Sequence, residues 1–413
     1  MVAPAPQGPA PPAADGRERW RFGLYAAHLL TLFGLAISNV ALGLGVLAAP
    51  WLRDRELAVW RRARPLLLAL AAYVAWLLVA VVFSQEPRAS VREFAEIFAL
   101  AALPLALLSV AGERRVRFMV DALIVVVAAL ALAGLGQLLV GYGAIDRRIR
   151  GPFSHYMTFS GVLLLVDLLL IARLIAGRPP GRAASRRPLD RRWVEWLCLG
   201  LITWALIGTL TRNAWLGLLA GLVWLLWVRR RRWLWAAPAA AACFLLLAPV
   251  PVVARALSTV SLSDDSNYDR LCMLDAGVRM TAEHPLFGIG PQVAERQYPI
   301  YRHPTAPRFN VPHLHNSYVQ LAAERGLPGL AAYLALLGVP LAAAWRGYRR
   351  EGPAGGRADL WLGAAAALIA FALSGLFEHN WGDTEVQRTV LFLMALPFCL
   401  EPRGEAIAPE GTP

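Results

Sequence analysis

The chain of 413 residues contains no lysine; all 41 of its basic positions are arginine. That absence removes the lysine a Walker-type phosphate loop needs, and with it nucleotide hydrolysis of that kind. Charge of either sign is scarce, at 17% of residues, where soluble domains carry roughly 25%. With 57% of residues hydrophobic, the balance excludes a water-soluble enzyme. Cysteine is nearly missing too. Cys198, Cys243 and Cys399 fall in apolar runs and Cys272 stands alone, so neither a disulfide framework nor a cysteine metal site is expected. A serine-nucleophile elbow and an internal repeat are also absent. The first twenty residues are polar and rich in Pro and Ala, so no cleavable signal peptide is expected.

What the chain has in abundance is long apolar runs. They fall at about 22–36, 39–51, 65–84, 94–111, 118–140, 157–177, 193–211, 213–228, 233–254, 327–344, 359–377 and 389–400. Lipid offers no partner to an exposed peptide group, so such runs are read as helices. The first pair is divided at Ser38-Asn39 and reads either as one kinked span or as two short ones. Arginine placement favours two. Counted that way, about 27 of the 41 arginines lie in inner loops, as the positive-inside rule asks. The expectation is an all-α polytopic membrane protein of about twelve spans, with both ends cytoplasmic.

The parts of the chain follow from this count. Residues 1–19 and 402–413 read as disordered cytoplasmic tails, and 20–254 as the first nine spans. Residues 255–316 form one large outer loop, and 317–401 an interfacial helix with the last three spans. The net charge of +13 is then topological, with anionic lipid attracting the inner loops, and calls for no nucleic acid.

The arginines placed outside are the informative ones, because topology does not ask for them. Arg147, Arg148 and Arg150 precede GPFSHYM at the outer end of the fifth span. Arg212 sits in GTLTRNAWLG, where two apolar helices meet with almost no loop; an arginine there faces water or an anion, or snorkels to the interface. The outer loop adds Arg270, which either pairs with neighbouring Asp265 or Asp269 or meets an anion, together with Arg279, Arg296, Arg302 and Arg308. Six of the seven histidines, all but His28, fall on the same side.

His315 has the most distinctive setting, in NVPHLHNSYVQLAAERGLPGLAAYL. Asn316 and Ser317 cap a short helix that ends at Gly326, and Pro328 opens the next span. An imidazole at a helix amino end is held neutral by the positive terminus and accepts a proton. Beside arginines, such a group suits deprotonation of a hydroxyl while an anionic group is held and expelled. His313-x-His315 also has metal-ligand spacing, but the sequence shows no third ligand.

These residues resemble the O-antigen ligase family. His315-Asn316, nine residues, Gly326, two residues and Gly329 reproduce its H-[NSQ]-x9-G-x-x-G pattern. DAGVRMTAEHPLFGIGP resembles the family's outer-loop segment, TRNAWLG its arginine-bearing span junction, and RGPFSHYM its Arg-Gly-x-Phe stretch. The likeness covers most of 120–390, with Ser154-His155 departing from the Asn-Pro common after the aromatic. It implies a GT-C-like membrane glycosyltransferase in a bacterial inner membrane, its site facing the periplasm. The implied donor is a glycan on undecaprenyl diphosphate and the implied acceptor lipid A-core, with inversion at the anomeric carbon and no metal or other cofactor. Carried onto this chain, Arg212 and Arg270 hold the diphosphate, Arg150 is a third contact, and His315 is the base. His313, Asn316, His155 and Asp383 are substrate contacts, with Glu378 and His379 beside Asp383 in LFEHNWGDTEVQ contacting acceptor sugar or merely solvating a loop. A glycan polymerase and a protein O-oligosaccharyltransferase fit the same residues, and a lipid-linked-glycan transporter is the reading of another class. A transporter needs charges deep within several spans, whereas nearly all lie at span ends.

Overall fold

The computed structural model describes residues 16–49, 54–141, 148–177, 191–236, 246, 249–258 and 265–400. The two expected tails lie largely outside these residues, although the first helix begins at Gly16, inside the expected amino-terminal tail. The regular elements among the described residues are helices, and no strand is found there. Helices α1 (Gly16–Leu30) and α2 (Leu35–Leu47) precede α3 (Asp54–Val82), then α4 (Phe94–Leu100) and α5 (Ala102–Ser109). α6 (Glu113–Val140), α7 (Tyr156–Ala176), α8 (Arg192–Gly208) and α9 (Arg212–Arg229) follow. α10 (Val250–Leu257), α11 (Asp265–Glu283) and α12 (Ala294–Tyr301) lead to α13 (Ser317–Glu351), α14 (Ala358–Ser374) and α15 (Thr384–Cys399).

Among the described residues, four helical stretches are long and apolar enough to cross a bilayer: Leu57–Val82, Glu113–Val140, Tyr156–Ala176 and Ser317–Glu351. At ~1.5 Å per residue, the 21 residues of α7 match a hydrocarbon core of about 30 Å. Other expected spans are shorter or divided. The run at 94–111 is two helices, α4 and α5, and half of the run at 233–254 lies outside the described residues. The first two runs are separate helices, but the break falls at residues 31–34 rather than at Ser38-Asn39. Ser38 instead locks α2 back onto α1, its hydroxyl donating to the His28 carbonyl at 2.8 Å.

α7 is buried on nearly all sides and packs along α14, the two forming the centre of the main core. Its one charged residue at mid-length, Asp167, accepts from the Thr203 hydroxyl at 2.9 and 3.1 Å, so the carboxylate is not left bare. The two ends of the bundle differ. At one end Arg117 pairs with Asp359 at 2.8 Å, Arg229 donates to the carbonyls of Ala176 and Pro353, and Arg115 meets Glu18. The arginines among them, Arg115, Arg117 and Arg229, fall in stretches that the twelve-span count puts on the inner side. Arg212 begins α9 and Arg229 ends it, 18 residues or ~27 Å away, so the Arg212 end is the opposite one.

The segment 265–316 is not an extended loop. α11 and α12 build a second small core from Met273, Ala276, Met280, Val293 and Tyr298 against Ala323 of α13. Its 285–290 run docks on α13 through backbone bonds from Ile289 to Ala323, Gly290 to Glu324 and Leu327 to Pro285. α13 breaks there. Gly326 takes φ 70°, and a side chain on it would collide with the Leu286 carbonyl. Gly329, one turn on, lies so near Trp76 that a Cβ would meet the indole at 3.0 Å. The two glycines of the motif thus have packing reasons of their own.

Candidate active site

Three short elements converge at the Arg212 end. The α8–α9 connection is tight: Leu210 takes the left-handed φ of 52°, and Arg212 immediately opens α9. Arg212 is buried, and its Nη1 donates to the Ser258 carbonyl and hydroxyl at 3.0 and 3.1 Å. Its Nη2 reaches the Ser266 hydroxyl at 3.5 Å. The guanidinium therefore fastens the end of α10 and the start of α11 to α9. From α11, Arg270 points at Glu378, with 3.6 Å between Nη2 and Oε2. The sequence left Arg270 between pairing with a neighbouring aspartate and meeting something else. Asp269 instead pairs with Arg308 at 3.2 Å, and Arg270 faces across the site.

His315 lies one residue before the cap of α13, with φ 49°. Asn316 closes the helix, its Oδ1 accepting from the backbone of Tyr318 and Val319 at 3.0 Å. The same side chain donates to the Leu376 carbonyl at 2.9 Å, and Ser317 donates to the Glu378 carbonyl at 3.0 Å. The 315–317 turn is thereby clamped to the 375–383 connection. That clamp brings Glu378 within 2.9 and 3.0 Å of His315 Nδ1 through its two carboxylate oxygens.

Glu378 corrects two expectations. It is buried and structural to the site, so loop solvation is excluded for it. It also replaces the helix terminus as the main influence on His315. A helix end contributes about 0.3–1 kcal/mol, less than a charged hydrogen bond at 2.9 Å in a buried setting. With Nδ1–H donating to the carboxylate, Nε2 of His315 is the acceptor nitrogen. Burial on its own raises the Glu378 carboxyl, but the hydrogen bond from His315, with His313 and Arg270 nearby, holds it down at about 2.

Arg212, Arg270, His315 and Asn316 line one cavity of about 300 Å³. Its remaining wall is mostly apolar, from Leu216, Leu271, Leu274, Leu314, Leu376 and Phe377. The three residues singled out for chemistry from 103 positions of sequence therefore share one space. Others do not share it. Arg150 donates to the Ser154 carbonyl at 3.1 Å and lines a separate cavity with Gln137 and Glu385. His155 caps α7, its Nδ1 accepting from Met157 at 3.2 Å, and burial lowers its pKa although Glu378 opposes this. His313 and Asp383 line a third cavity beside His379.

His313 sits with its ring 4.2 Å from that of His315 and its Nε2 3.6 Å from Glu378. Burial lowers its pKa to about 4, leaving it neutral near pH 7. His313, His315 and Glu378 place their ligand atoms within 4.8 Å of one another, supplying the third donor the sequence did not show. Two imidazoles and a carboxylate suit a divalent ion in principle. In the present arrangement the Nδ1 and both carboxylate oxygens are already joined by hydrogen bonds.

One network escaped the sequence altogether. Glu96 of α4 pairs with Arg325 at 2.7 Å and accepts from Tyr73 and from Trp381 Nε1, each at 2.8 Å. It joins the end of the first α13 segment to the 375–383 connection, behind Glu378. The signal available was a glutamate inside an apolar run and an arginine just before a helix break.

The fold and site define a polytopic helical membrane protein with a basic, imidazole-bearing cavity at one end of the bundle. Residues 197–334, a third of the chain, match the family described as O-antigen ligase, and this stretch is similar to that family. The matched stretch holds Arg212, Arg270, His315, Gly326 and Gly329, and leaves Arg150, His155, Glu378 and Asp383 outside it. It supports a membrane glycosyltransferase of O-antigen ligase or polymerase type. No match was found among curated proteins.

Proposed function

We propose that the protein transfers a glycan from undecaprenyl diphosphate to a sugar hydroxyl of lipid A-core at the periplasmic face of a bacterial inner membrane. The observation that carries this reading is the shared cavity of Arg212, Arg270 and His315, with Glu378 bonded to the far nitrogen of the imidazole. Two guanidiniums offer planar pairs of donors to diphosphate oxygens, a match that an ammonium lacks. The apolar part of the same cavity accommodates the first isoprene units.

Bond by bond, the acceptor hydroxyl loses its proton to His315 Nε2 as its oxygen bonds to the anomeric carbon. The bond from that carbon to the diphosphate oxygen breaks, and the electron pair leaves on undecaprenyl diphosphate. Arg212 and Arg270 stabilise the charge that gathers there. Glu378 orients the imidazole and stabilises the imidazolium that forms. Attack opposite the leaving group inverts the anomeric centre, and no step requires a metal or nucleotide.

The test is an in vitro reaction of the purified protein with undecaprenyl-diphosphate glycan and three acceptors side by side: lipid A-core, lipid-linked glycan and a peptide. Transfer to lipid A-core, unchanged by chelator, supports the proposal. Transfer only to lipid-linked glycan makes the protein a polymerase, and loss on chelation that a divalent ion reverses turns the histidine–carboxylate cluster into a metal site. No transfer with any acceptor rejects the reaction.

A further inference from the structure

The cavity of His313 and Asp383, of about 170 Å³, lies on the other side of the 312–315 segment from the donor cavity's lining residues Leu314 and His315. His315 lines the one and His313 the other, and Glu378 lies within 3.6 Å of both rings. The backbone between them alternates, Pro312 and His313 facing the second cavity, Leu314 and His315 the first. Their walls are opposite in chemistry. The second carries three carboxylate side chains, from Glu295, Glu324 and Asp383, with the amides of Gln292 and Gln320, and no arginine lines it. In a chain with 41 arginines and a net charge of +13, an acidic pocket beside a basic one is a specific arrangement rather than a background property.

The floor of this cavity is built rather than incidental. Gln320 and Glu324 are both buried, and Gln320 Nε2 donates to Glu324 Oε1 at 2.8 Å. Gln320 Oε1 in turn accepts from the Leu314 backbone at 2.8 Å, so the amide that lines the pocket also fixes the segment bearing the two histidines. Carboxylates and amides in a concave wall are acceptors and donors for hydroxyls. The ionised carboxylates among them repel phosphate and carboxylate groups, since an anion brought against another anion in a half-buried pocket is costly, and Asp383, raised to about 7, adds to this only in part near neutral pH.

We propose that this cavity, through Gln292, Glu295, Gln320, Glu324 and Asp383, receives the acceptor sugar and admits only an uncharged, hydroxyl-rich or amino-bearing ring. The inference rests on the transfer reading above for the word acceptor. It goes beyond that reading by fixing the side from which the nucleophile enters and the charge class of the residue that carries it. A ring seated here presents a hydroxyl past His313 toward His315, while the diphosphate lies on the arginine side.

The experiment uses full-length protein in lipid nanodiscs and three probes: a methyl hexoside, its 6-phosphate and the corresponding methyl uronoside. Saturation-transfer NMR reads binding directly, without donor. The neutral glycoside is expected to bind and both anionic ones to fail. Asp383→Asn and Glu295→Gln are each expected to weaken the neutral glycoside by about tenfold, the scale of one hydrogen bond to a charged group. Arg212→Lys is expected to leave it unchanged. In transfer assays the neutral glycoside should compete with the acceptor and not with the donor. Equal binding of the anionic probes, no binding of the neutral one, or competition with the donor overturns the proposal. Binding that responds to Asp383→Asn in a protein that transfers to none of the three acceptors keeps the cavity and sinks the reaction, so the two failures are told apart.

Discussion

The two cavities that meet at His313 and His315 are neighbours, yet they are built from different chemistry. One is a largely apolar pocket with two guanidiniums, its walls drawn from α9, α11 and the 375–383 connection. The other is a polar pocket with three carboxylates, drawn from α12, α13 and the start of α15. A symmetric binding site would need neither difference. A transferase joining a lipid diphosphate to a hydroxyl needs both, because its two substrates differ in the same ways: one long, apolar and anionic at its reacting end, the other wet and uncharged. Two imidazoles stand at the border, His315 lining one space and His313 the other.

The sharpest way to break that comparison is at the border itself. Replacing His315 by Ala is expected to lower transfer by about 10²–10⁴, the range of a lost general base, while leaving donor binding and neutral-glycoside binding intact. Transfer at the normal rate would show that the imidazole is not the base. The next test is one-sided. Arg212→Lys and Arg270→Lys keep the charge but lose the planar fork, and each is expected to cost about a hundredfold in transfer. The loss should appear as weaker donor binding with acceptor KM unchanged. A matching rise in acceptor KM would erase the division between the cavities.

Much of this was legible in the sequence, for a physical reason. An arginine between two apolar helices, or a histidine just before a capping pair, breaks a local rule and so shows itself. Arg212 and His315 did. The glycines at 326 and 329 were visible as a pattern, but their cause, the docking of 285–290 and of Trp76, is tertiary. Glu378 lies 63 residues from His315, in a connection where charged residues ordinarily face water, so nothing local marks it as a partner. Glu96 was hidden in the same way inside an apolar run that proved to be two helices. Helix existence is a matter of composition; helix division at 101 and carboxylate pairing across the bundle depend on what packs alongside.

Glu378 allows a finer test than its neighbours. Glu378→Gln removes the charge and keeps the size, so the acceptor facing His315 Nδ1–H becomes a neutral amide oxygen that no longer stabilises an imidazolium. A loss of about ten- to a hundredfold in transfer is expected, smaller than for His315→Ala, with the pH profile of the reaction displaced and binding of both substrates retained. An unchanged profile would mean that Glu378 serves only to hold the 375–383 connection. Glu96→Gln separates the two possibilities. It strips the carboxylate from buried Arg325, so it should destabilise the fold by about 3–5 kcal/mol without displacing the pH profile.

The smallest effect sharpens the contrast by titration. Guanidinium groups do not titrate in the acid range, so the arginines themselves add nothing to pH-dependent stability there. The polar side does. Burial lowers His313 to about 4 and His379 to about 3 from an ordinary value of 6.5. Between those values the unfolded chain holds protons that the fold refuses, so stability rises with pH from about 4 toward 6.5. Glu378, held at about 2 against an ordinary 4.5, adds stability that is present above 4.5 and is lost as pH falls toward 2. Asp383 has the opposite sign: burial, then Glu378 and Glu385, raise it to about 7, so it stabilises the fold at low pH and gives that up as pH rises through 7. Between pH 4 and 6.5 the two histidines act against the one aspartate and leave a net rise, while the glutamate contributes its rise below 4.5. The thermal midpoint of the protein in detergent should climb across that window. His313→Gln should flatten the climb in part and Arg270→Lys should leave it alone; a steeper change from the arginine variant would contradict the separation of the two pockets.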